Sequence, residues 1–265
     1  MTTVLQVSDT HIVAPGQMVA GRLDTAASLQ KLVTRIGDML PQIGPVDAVL
    51  VSGDLSDDGS RESYAHFRAL LAPLDLPLFV IPGNHDCRAH LREAFADDGY
   101  LPQTGRLNWH RQVGEVDLIG LDTLVEGQGG GVLEDETLEF LQDALAKVGQ
   151  RPVLLALHHP PFDCGIWFMD AIGLSGSDAL TDLLQASQAE IRILCGHIHS
   201  MMVMSVGRAV AISSPSPCSS FAFDLRADAP KGFLTQEDGF LVHQWQQGFR
   251  SVRIPLEGGA GPFQF

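Results

Sequence analysis

Length, composition and charge exclude several classes of protein for this chain. It has 265 residues, 45% of them hydrophobic, which suits one large globular domain or two small ones. Lys and Arg number 17 against 32 Asp and Glu, so the formal net charge is −15. Such a surface repels polyanions and argues against a nucleic-acid polymer or an anionic membrane as partner. A small anionic substrate fits only where bound cations reverse the local field.

The N-terminus and the cysteines favour a cytoplasmic protein. Met1 to Leu5 enter a strand-like run with no basic segment, apolar signal core or cleavage site, and no later apolar stretch approaches the length of a membrane span. The cysteines show no Cys-x-x-Cys spacing, so without an export signal we expect reduced thiols. They are Cys87, Cys164, Cys195 and Cys218.

The first part of the chain alternates strands with helices. Strand-like runs at 4–7, 48–51 and 78–81 are separated by two segments whose apolar residues recur at helical spacing. These apolar residues are Leu29, Leu32, Val33, Ile36 and Leu40 in the first segment, and Tyr64, Phe67, Leu70 and Leu71 in the second. The alternation predicts right-handed crossovers and a largely parallel sheet.

The later elements follow the same logic until residue 199. Strand-like runs at 116–121, 153–157 and 191–195 flank a helix predicted over 134–148, with acidic residues in its first turn and Lys147 in its last. Residues 88–112 predict only a short helical piece and a loop. Short β-like pieces then appear at 201–206, 209–212, 240–245 and 251–254. We expect these pieces to form a second, mainly antiparallel sheet.

Polar side chains that bind metals follow the strand-like runs. They are Asp9 and His11, Asp54, Asn84 and His85, His158 and His159, and His197 and His199. The carboxyl ends of strands in α/β sheets gather ligands, and this mixture of carboxylates, imidazoles and an amide suits Fe, Mn, Zn or Co. A single His-x-His pair is weak evidence, because surface histidines pair by chance. Five apolar runs that all end in such residues predict a metal site.

These residues resemble the signature of the calcineurin-like binuclear metallophosphoesterases. The matching blocks are Asp9-Thr10-His11, Gly53-Asp54-Leu55-Ser56-Asp57, Gly83-Asn84-His85-Asp86, His158 and Gly196-His197-Ile198-His199. The chain looks most like the bacterial branch of class III cyclic-nucleotide phosphodiesterases and glycerophosphodiesterases. That likeness rests on the stretches 8–11, 81–86 and 158–161.

The resemblance implies a fold and a domain plan. The fold is α/β, a four-layer α-β-β-α sandwich of two facing mixed sheets with flanking helices. We expect a single domain over residues 1–255, with cap-like loops near 160–177 and 213–235. Residues 256–265, rich in glycine and without periodicity, are expected to be a flexible tail.

The resemblance also implies a ligand set and a reaction. One metal would be bound by Asp9, His11, Asp54 and His199, and the other by Asp54, Asn84, His158 and His197. Asp54 would bridge two divalent or trivalent ions of Fe, Mn, Zn or Co. The implied reaction is hydrolysis of small phosphodiesters, either 3',5'-cyclic nucleotides or glycerophosphodiesters, by attack of a metal-bridging hydroxide.

Two further residues receive catalytic roles. His85 is not a ligand in the family pattern, and we expect it to contact a phosphate oxygen or to protonate the leaving alkoxide. We expect Asp57 to orient His85 and to favour its charged form, although closing the turn before Gly59 explains Asp57 almost as well. For His159 and Asp122 we expect packing or hydrogen bonding beside the ligands.

Other functions remain open from the sequence. A phosphomonoesterase or a nucleotide-pyrophosphate hydrolase would use the same metals, whereas a binding scaffold is disfavoured because all seven ligand positions are kept. Aromatic residues in the two cap-like loops, such as Phe221, favour the second substituent of a diester. For Trp167 and Phe168, a subunit interface is an equal alternative, which leaves a homo-oligomer, dimeric or larger, open.

Overall fold

The computed structural model describes residues 1–236, 238–261 and 263–264. Its strands are β1 (Thr2–Val7), β2 (Ala48–Val51), β3 (Leu78–Val80), β4 (Trp109–Val113), β5 (Val116–Gly120), β6 (Gly131–Val132), β7 (Val153–Ala156), β8 (Leu174–Ser175), β9 (Ile191–Cys195), β10 (Val203–Val206), β11 (Ala209–Ser213), β12 (Phe240–Trp245) and β13 (Phe249–Ile254). Its α-helices are α1 (Thr25–Ile43), α2 (Arg61–Leu71), α3 (Arg88–Ala94), α4 (Asp135–Val148), α5 (Trp167–Asp170) and α6 (Ser177–Ala186).

Two large mixed sheets form the centre of the molecule. The first has the strand order β13-β12-β1-β2-β3. In it β1, β2 and β3 are parallel to one another, and β12 is antiparallel to both of its neighbours, β1 and β13. The second has the order β10-β11-β9-β7-β5-β4, in which β11, β9, β7 and β5 are parallel. The strand and helix alternation therefore predicted the parallel centres correctly, but these centres belong to two sheets.

The prediction of a separate antiparallel sheet after residue 199 is wrong. β10 and β11 extend the second sheet beside β9, whereas β12 and β13 extend the first sheet beside β1. The physical reason is that the parallel strands leave unpaired backbone groups at the sheet edges, which a neighbouring strand satisfies. The burial of β12 is consistent with this pairing, because Phe240, Leu241 and Val242 lie in the interior next to β1.

Side-chain alternation in the second sheet separates the layers. Leu154 and Leu194 pack into the core that contains the first sheet and helices α1, α2 and α3. Their neighbours Leu155 and Ile193 face the other way and pack with residues of α4 and α6. Successive residues of a strand point to opposite faces. The order is therefore helices, sheet, sheet, helices, which confirms the predicted four-layer sandwich.

The two predicted cap-like loops pack against each other. We call residues 160–177 and 213–235 the cap segments. Trp167 Nε1 donates a hydrogen bond to the Ala229 carbonyl at 3.0 Å, and the rings of Phe168 and Phe221 lie 5.7 Å apart, edge to face. The first cap segment contains α5 and β8, and β8 pairs with β6.

The remaining predictions concern the cysteines, a membrane span and the tail. All four cysteines are free thiols, as expected. Among the helices of the described residues, none combines the length and the apolar character that crossing a membrane needs. The tail predicted at 256–265 forms neither helix nor strand where it is described, and residues 262 and 265 lie outside the described residues. Its flexibility stays a prediction.

Candidate metal centre

Sharp turns at the strand ends bring the predicted ligands together. The backbone is left-handed at Asp9, His11, Asp54, His197 and His199, with φ between 45° and 69°. This conformation costs a non-glycine residue about 1 kcal/mol or more, so the surroundings must hold it. Hydrogen bonds between neighbouring loops hold the backbone in this conformation. The Asp9 N–H donates to the Gly53 carbonyl at 3.1 Å, and the His11 N–H donates to the Asp54 carbonyl at 3.0 Å.

Two glycines allow the loops to approach closely. A Cβ at Gly53 would lie 2.3 Å from Nδ1 of His158, and a Cβ at Gly83 would lie 2.2 Å from Oδ1 of Asp54. Neither position can carry a side chain without moving a predicted ligand. The glycines that precede Asp54 and Asn84 in the sequence blocks are thus required by packing.

The first group of predicted ligands consists of Asp9, His11 and His199. Nε2 of His11 lies 3.2 Å from Nε2 of His199, which lies 3.5 Å from Oδ1 of Asp9. Nδ1 of His11 donates to the carboxylate of Asp57 at 3.0 Å, and Nδ1 of His199 is 3.0 Å from Oγ of Ser219. The outer nitrogens are therefore occupied, and both Nε2 atoms face the same point.

The second group consists of Asn84, His158 and His197. Nδ1 of His158 donates to the Ser52 carbonyl at 2.8 Å, and Nε2 of His197 donates to the Ile172 carbonyl at 3.1 Å. The opposite ring nitrogens lie 3.2 Å and 2.9 Å from Oδ1 of Asn84. Both imidazoles thus turn the nitrogen that is not donating toward the same amide oxygen.

Asp54 lies between the two groups. Its Oδ2 is 3.4 Å from Nε2 of His158 and 3.7 Å from Nε2 of His11, while its Oδ1 accepts the N–H of His85 at 2.9 Å. Burial raises the pKa of Asp54, but the charge and hydrogen bond of His158 outweigh it and hold the pKa well below its usual range. This carboxylate therefore lies close to an imidazole of each group.

The donor set fits transition-metal ions. Since the outer nitrogens of His11, His158 and His197 donate to protein oxygens, lone pairs of the inner nitrogens converge with the oxygens of Asp54 and Asn84. Burial lowers the pKa of His158, yet Asp54 outweighs it and raises this pKa to about 9. The surroundings of His158 Nε2 therefore favour a positive charge. A set of imidazole nitrogens with carboxylate and amide oxygens suits Fe, Mn, Zn or Co.

His85 and Asp57 lie beside this cluster, and Asp57 contacts both His85 and His11. The His85 side chain is 40% exposed, and its ring lies 4.7 Å from the ring of His11. Nδ1 of His85 donates to the backbone carbonyl of Asp57 at 3.0 Å and lies 3.5 Å from its carboxylate. The carboxylate makes its closer contact with His11, because the backbone carbonyl already occupies the nitrogen of His85.

His159 and Asp122 both have partners within the protein. Nε2 of His159 donates to the Gly129 carbonyl at 3.2 Å, and its Nδ1 lies 2.8 Å from Oγ1 of Thr123, so neither nitrogen is available to a metal. Asp122 is fully buried and pairs with Arg88 at 2.6 Å and with Arg106 at 3.6 Å.

Asp86 is a supporting residue that the sequence analysis missed. Its buried carboxylate accepts the N–H groups of Gly83, Leu55 and Ser56 and the hydroxyl of Tyr64. It therefore ties the loop after β3 to the loop after β2. Its place at the end of the Gly-Asn-His-Asp block was a signal that could have identified it.

Ser216 and Ser219 of the second cap segment were also missed. Oγ of Ser216 donates to the Asp9 carbonyl at 2.8 Å, and Ser219 contacts His199. They belong to a Ser- and Pro-rich stretch with no motif, so no local pattern pointed to them. The second cap segment thus contacts two of the predicted ligands, Asp9 and His199.

Comparisons with known proteins identify the family of this chain. A family model described as calcineurin-like phosphoesterase matches residues 2–201. A probable glycerophosphodiester phosphodiesterase GpdQ from Arcobacter nitrofigilis is 32% identical, over 99% of this chain and 96% of the relative. A 3',5'-cyclic adenosine monophosphate phosphodiesterase CpdA from Pseudomonas aeruginosa is 39% identical, over 96% of this chain and 86% of the relative.

The solved structures show the same fold. A dimetal phosphatase from Danio rerio superposes with a TM-score of 0.68 over 97% of this chain and 96% of that structure, at 13% sequence identity. At that identity the likeness concerns the fold alone. The matched family model, the relatives and the sandwich of two mixed sheets lead to one conclusion: the chain belongs to the calcineurin-like phosphoesterase family, as its sequence blocks predicted.

Proposed function

We propose that this protein is a metal-dependent phosphodiesterase that hydrolyses small phosphodiesters, either glycerophosphodiesters or 3',5'-cyclic nucleotides. Relatives similar over nearly the whole chain are named for those two activities, which favours the predicted phosphodiesterase over a monoesterase or a pyrophosphate hydrolase. The observation that carries the proposal is the convergence of inward-facing imidazole nitrogens on the buried carboxylate of Asp54.

The proposed centre holds two transition-metal ions. One would be bound by Asp9, His11, Asp54 and His199, and the other by Asp54, Asn84, His158 and His197. When bound, two such ions lower the pKa of water and neutralise the charge that develops on phosphoryl oxygens. The inward orientation of the ligand atoms, fixed by the hydrogen bonds on their far sides, supports this assignment.

The side chains of the protein have separate tasks in the proposed reaction. His85 has its Nδ1 bound to the Asp57 carbonyl, which leaves its exposed imidazole free to turn Nε2 toward the departing alkoxide and protonate it. Asp57 positions His11 through its carboxylate and His85 through its backbone carbonyl. Neither task requires a covalent bond between the protein and the phosphoryl group.

The cap segments supply the apolar surface near the site. The ring of Phe221 lies 4.8 Å from the ring of His199, and Phe168 packs behind it. Residues 160–177 contain no Lys or Arg, and the second segment contains two cations, Lys231 and Arg226, of which Arg226 is paired with Asp224. An apolar substituent on a diester fits this surface better than the doubly charged end of a monoester.

The chemistry of the surface extends the proposal to partners and location. The net charge of −15 favours small phosphodiesters over a nucleic-acid polymer or a membrane. We place the protein in the cytoplasm. We also keep a homo-oligomer among the proposals, because Trp167 in the cap is 43% exposed and large apolar side chains favour interfaces.

Metal reconstitution followed by kinetics tests the function. The protein is loaded in turn with Mn, Fe, Zn and Co, and kcat/KM is measured for a bis-aryl phosphate and the matching mono-aryl phosphate. We expect a diester to monoester ratio above one. A ratio below one contradicts the diester assignment, and a protein that holds no metal and cleaves neither ester would be a binding scaffold.

Elemental analysis of two variants tests the ligand assignment. Asp54→Ala is expected to lose both ions together with activity, because this carboxylate faces both groups. Asn84→Ala is expected to weaken one ion only, since its amide oxygen faces only His158 and His197. Two tightly held ions in Asp54→Ala, or loss of both in Asn84→Ala, would contradict the assignment.

A further inference from the structure

A buried glutamine connects the two sheets behind the candidate metal centre. Gln6 of β1 is fully buried, and its Nε2 donates to Oγ of Ser52 at 2.8 Å and to the carbonyl of Cys195 at 2.9 Å. Ser52 follows β2 of the first sheet, whereas Cys195 is the last residue of β9 in the second sheet. One side-chain amide thus spans the gap between the sheets.

Both partners of this amide lie next to predicted ligands. Ser52 is followed by Gly53 and Asp54, and its own carbonyl accepts the hydrogen bond from Nδ1 of His158. Cys195 is followed by Gly196 and His197. The separation of these two loops decides how far Asp54 lies from the ligands of the second sheet. The Gln6 amide bonds to both loops where they leave the sheets.

Hydrogen-bond chemistry leaves one orientation for the amide. The Cys195 carbonyl only accepts, so the NH₂ end of Gln6 must face it and Oε1 must point the other way. Oε1 lies 2.9 Å from Nε2 of His243, which therefore donates, and Nδ1 of His243 accepts from Oγ of Ser251 at 2.8 Å. Burial and the charge of Arg192 lower the pKa of His243 to about 3, so this imidazole is neutral, as the arrangement requires.

Packing alone does not call for a glutamine here. Val4, on the same face of β1, is apolar and buried, and an intramolecular hydrogen bond adds only about 1 kcal/mol of net stability. We propose that Gln6, held in place by His243, is a positioning residue that sets the spacing of loops 52–54 and 195–199 and thereby the affinity for metal ions. This inference rests on the proposed metal centre.

The test compares metal affinity in two variants of β1. Gln6→Met keeps the length of the side chain and removes its hydrogen bonds, and we expect dissociation constants for Mn²⁺ or Zn²⁺ to rise about tenfold or more, as for other groups that support metal ligands. Thr2→Val is the matched control. Oγ1 of Thr2 accepts the N–H of Glu115 at 2.8 Å and so joins the sheets at the opposite end of β1.

Titration with a competing chelator, below the unfolding temperature of every variant, gives the dissociation constants without relying on activity. Thr2→Val is expected to lower stability and leave metal affinity unchanged. His243→Gln, which can still donate to Oε1 of Gln6, should stay within a few-fold of the wild-type protein. His243→Phe should follow Gln6→Met.

The outcomes separate this inference from the proposed function. If the wild-type protein binds two ions and Gln6→Met binds them as tightly, the positioning role is wrong and the metal centre stands. Equal losses of metal affinity in Gln6→Met and Thr2→Val would mean that the effect comes from lower overall stability, and would also overturn the positioning role. A wild-type protein that binds no ion would overturn both the inference and the proposed function.

Discussion

His85 differs from the residues around it because its side chain reaches solvent, while six of the seven predicted ligands are buried and Asn84 is half-buried. We expect His85→Ala to retain its metal ions and to lose about a hundredfold or more in kcat, the usual contribution of a proton donor. The loss should be large for an alkyl phosphodiester and small for a nitrophenyl diester, since a nitrophenolate departs without protonation. Equal losses for both esters would indicate charge stabilisation instead.

Asp57 is expected to act through His11. Its carboxylate lies 3.0 Å from Nδ1 of His11, so Asp57→Ala removes the acceptor that orients this imidazole. We expect metal affinity to fall about tenfold to a hundredfold. Asp57→Asn, whose amide oxygen still accepts a hydrogen bond, should lose much less. Metal content and kcat are measured together, and an unchanged Asp57→Ala would assign the residue to the turn before Gly59.

Much of the site was predictable residue by residue, because each ligand-type residue follows an apolar strand and matches a motif. What the sequence did not indicate is which partner each side chain chooses. Asp57 was expected to orient His85, and it contacts His85 through its backbone carbonyl at 3.0 Å, while its carboxylate lies 3.5 Å from His85 and 3.0 Å from His11. Such a choice depends on loop geometry, which no spacing in the sequence records.

At the scale of elements, the cap segments are expected to control ester preference. Phe221 lies against His199, so Phe221→Ala should lower kcat/KM for a diester more than for the matching monoester. Trp167 is bound to Ala229 of the other segment and is partly exposed. Trp167→Ala with unchanged kinetics and altered sedimentation would assign this residue to a subunit interface. An unchanged diester to monoester ratio in Phe221→Ala would remove the cap from substrate selection.

An ion-pair cluster around the buried Asp117 joins β4 and β5 to the residues before β7 and should make stability depend on pH. The carboxylate of Asp117 in β5 accepts from His110 of β4 and from Arg151 just before β7, each at 2.6 Å. Burial raises the pKa of Asp117, but the bonds from Arg151 and His110 outweigh it and leave the pKa lowered. The cluster therefore contributes its full stability above about pH 4, and loses it as the pH falls through the lowered pKa of Asp117.

Urea unfolding of Asp117→Asn tests this dependence. The variant should be less stable than the wild-type protein at pH 7, and the difference should shrink at pH 3. Asp224→Asn is the control, because its ion pair with Arg226 is exposed and such pairs contribute little. A difference between Asp117→Asn and the wild-type protein that stays constant with pH would contradict the assignment.

The order of the elements was predictable, whereas their pairing after residue 199 was not. The runs later found as β10 to β13 have the short, turn-bounded pattern of antiparallel strands, and that pattern is correct for each hairpin. Which sheet a hairpin joins depends on contacts with β1 or β9, far away in the sequence. Local periodicity carries no information about that choice.

At the scale of the whole molecule, each proposed ion is bound by loops from both sheets. Asp54 and Asn84 follow strands of the first sheet, whereas His158, His197 and His199 follow strands of the second. Binding that occurs only in the folded state stabilises it by mass action, by about 4 kcal/mol at a thousandfold excess over the dissociation constant. We therefore expect a chelator to lower Tm by several degrees. An unchanged Tm after complete removal of metal would contradict shared binding.

The left-handed backbone at the strand ends has a consequence for engineering thermostable variants. Among the described residues, the non-glycine positions with positive φ are Asp9, His11, Ala20, Asp54, Asp75, His197, His199 and Gln247. Replacement by glycine relieves such strain, but at five of these positions it would delete a proposed ligand. Among these positions, glycine can therefore relieve backbone strain without deleting a proposed ligand only at Ala20, Asp75 and Gln247. Ala20 is the first position to replace, because its side chain has no polar group that could stabilise the left-handed backbone by a local hydrogen bond.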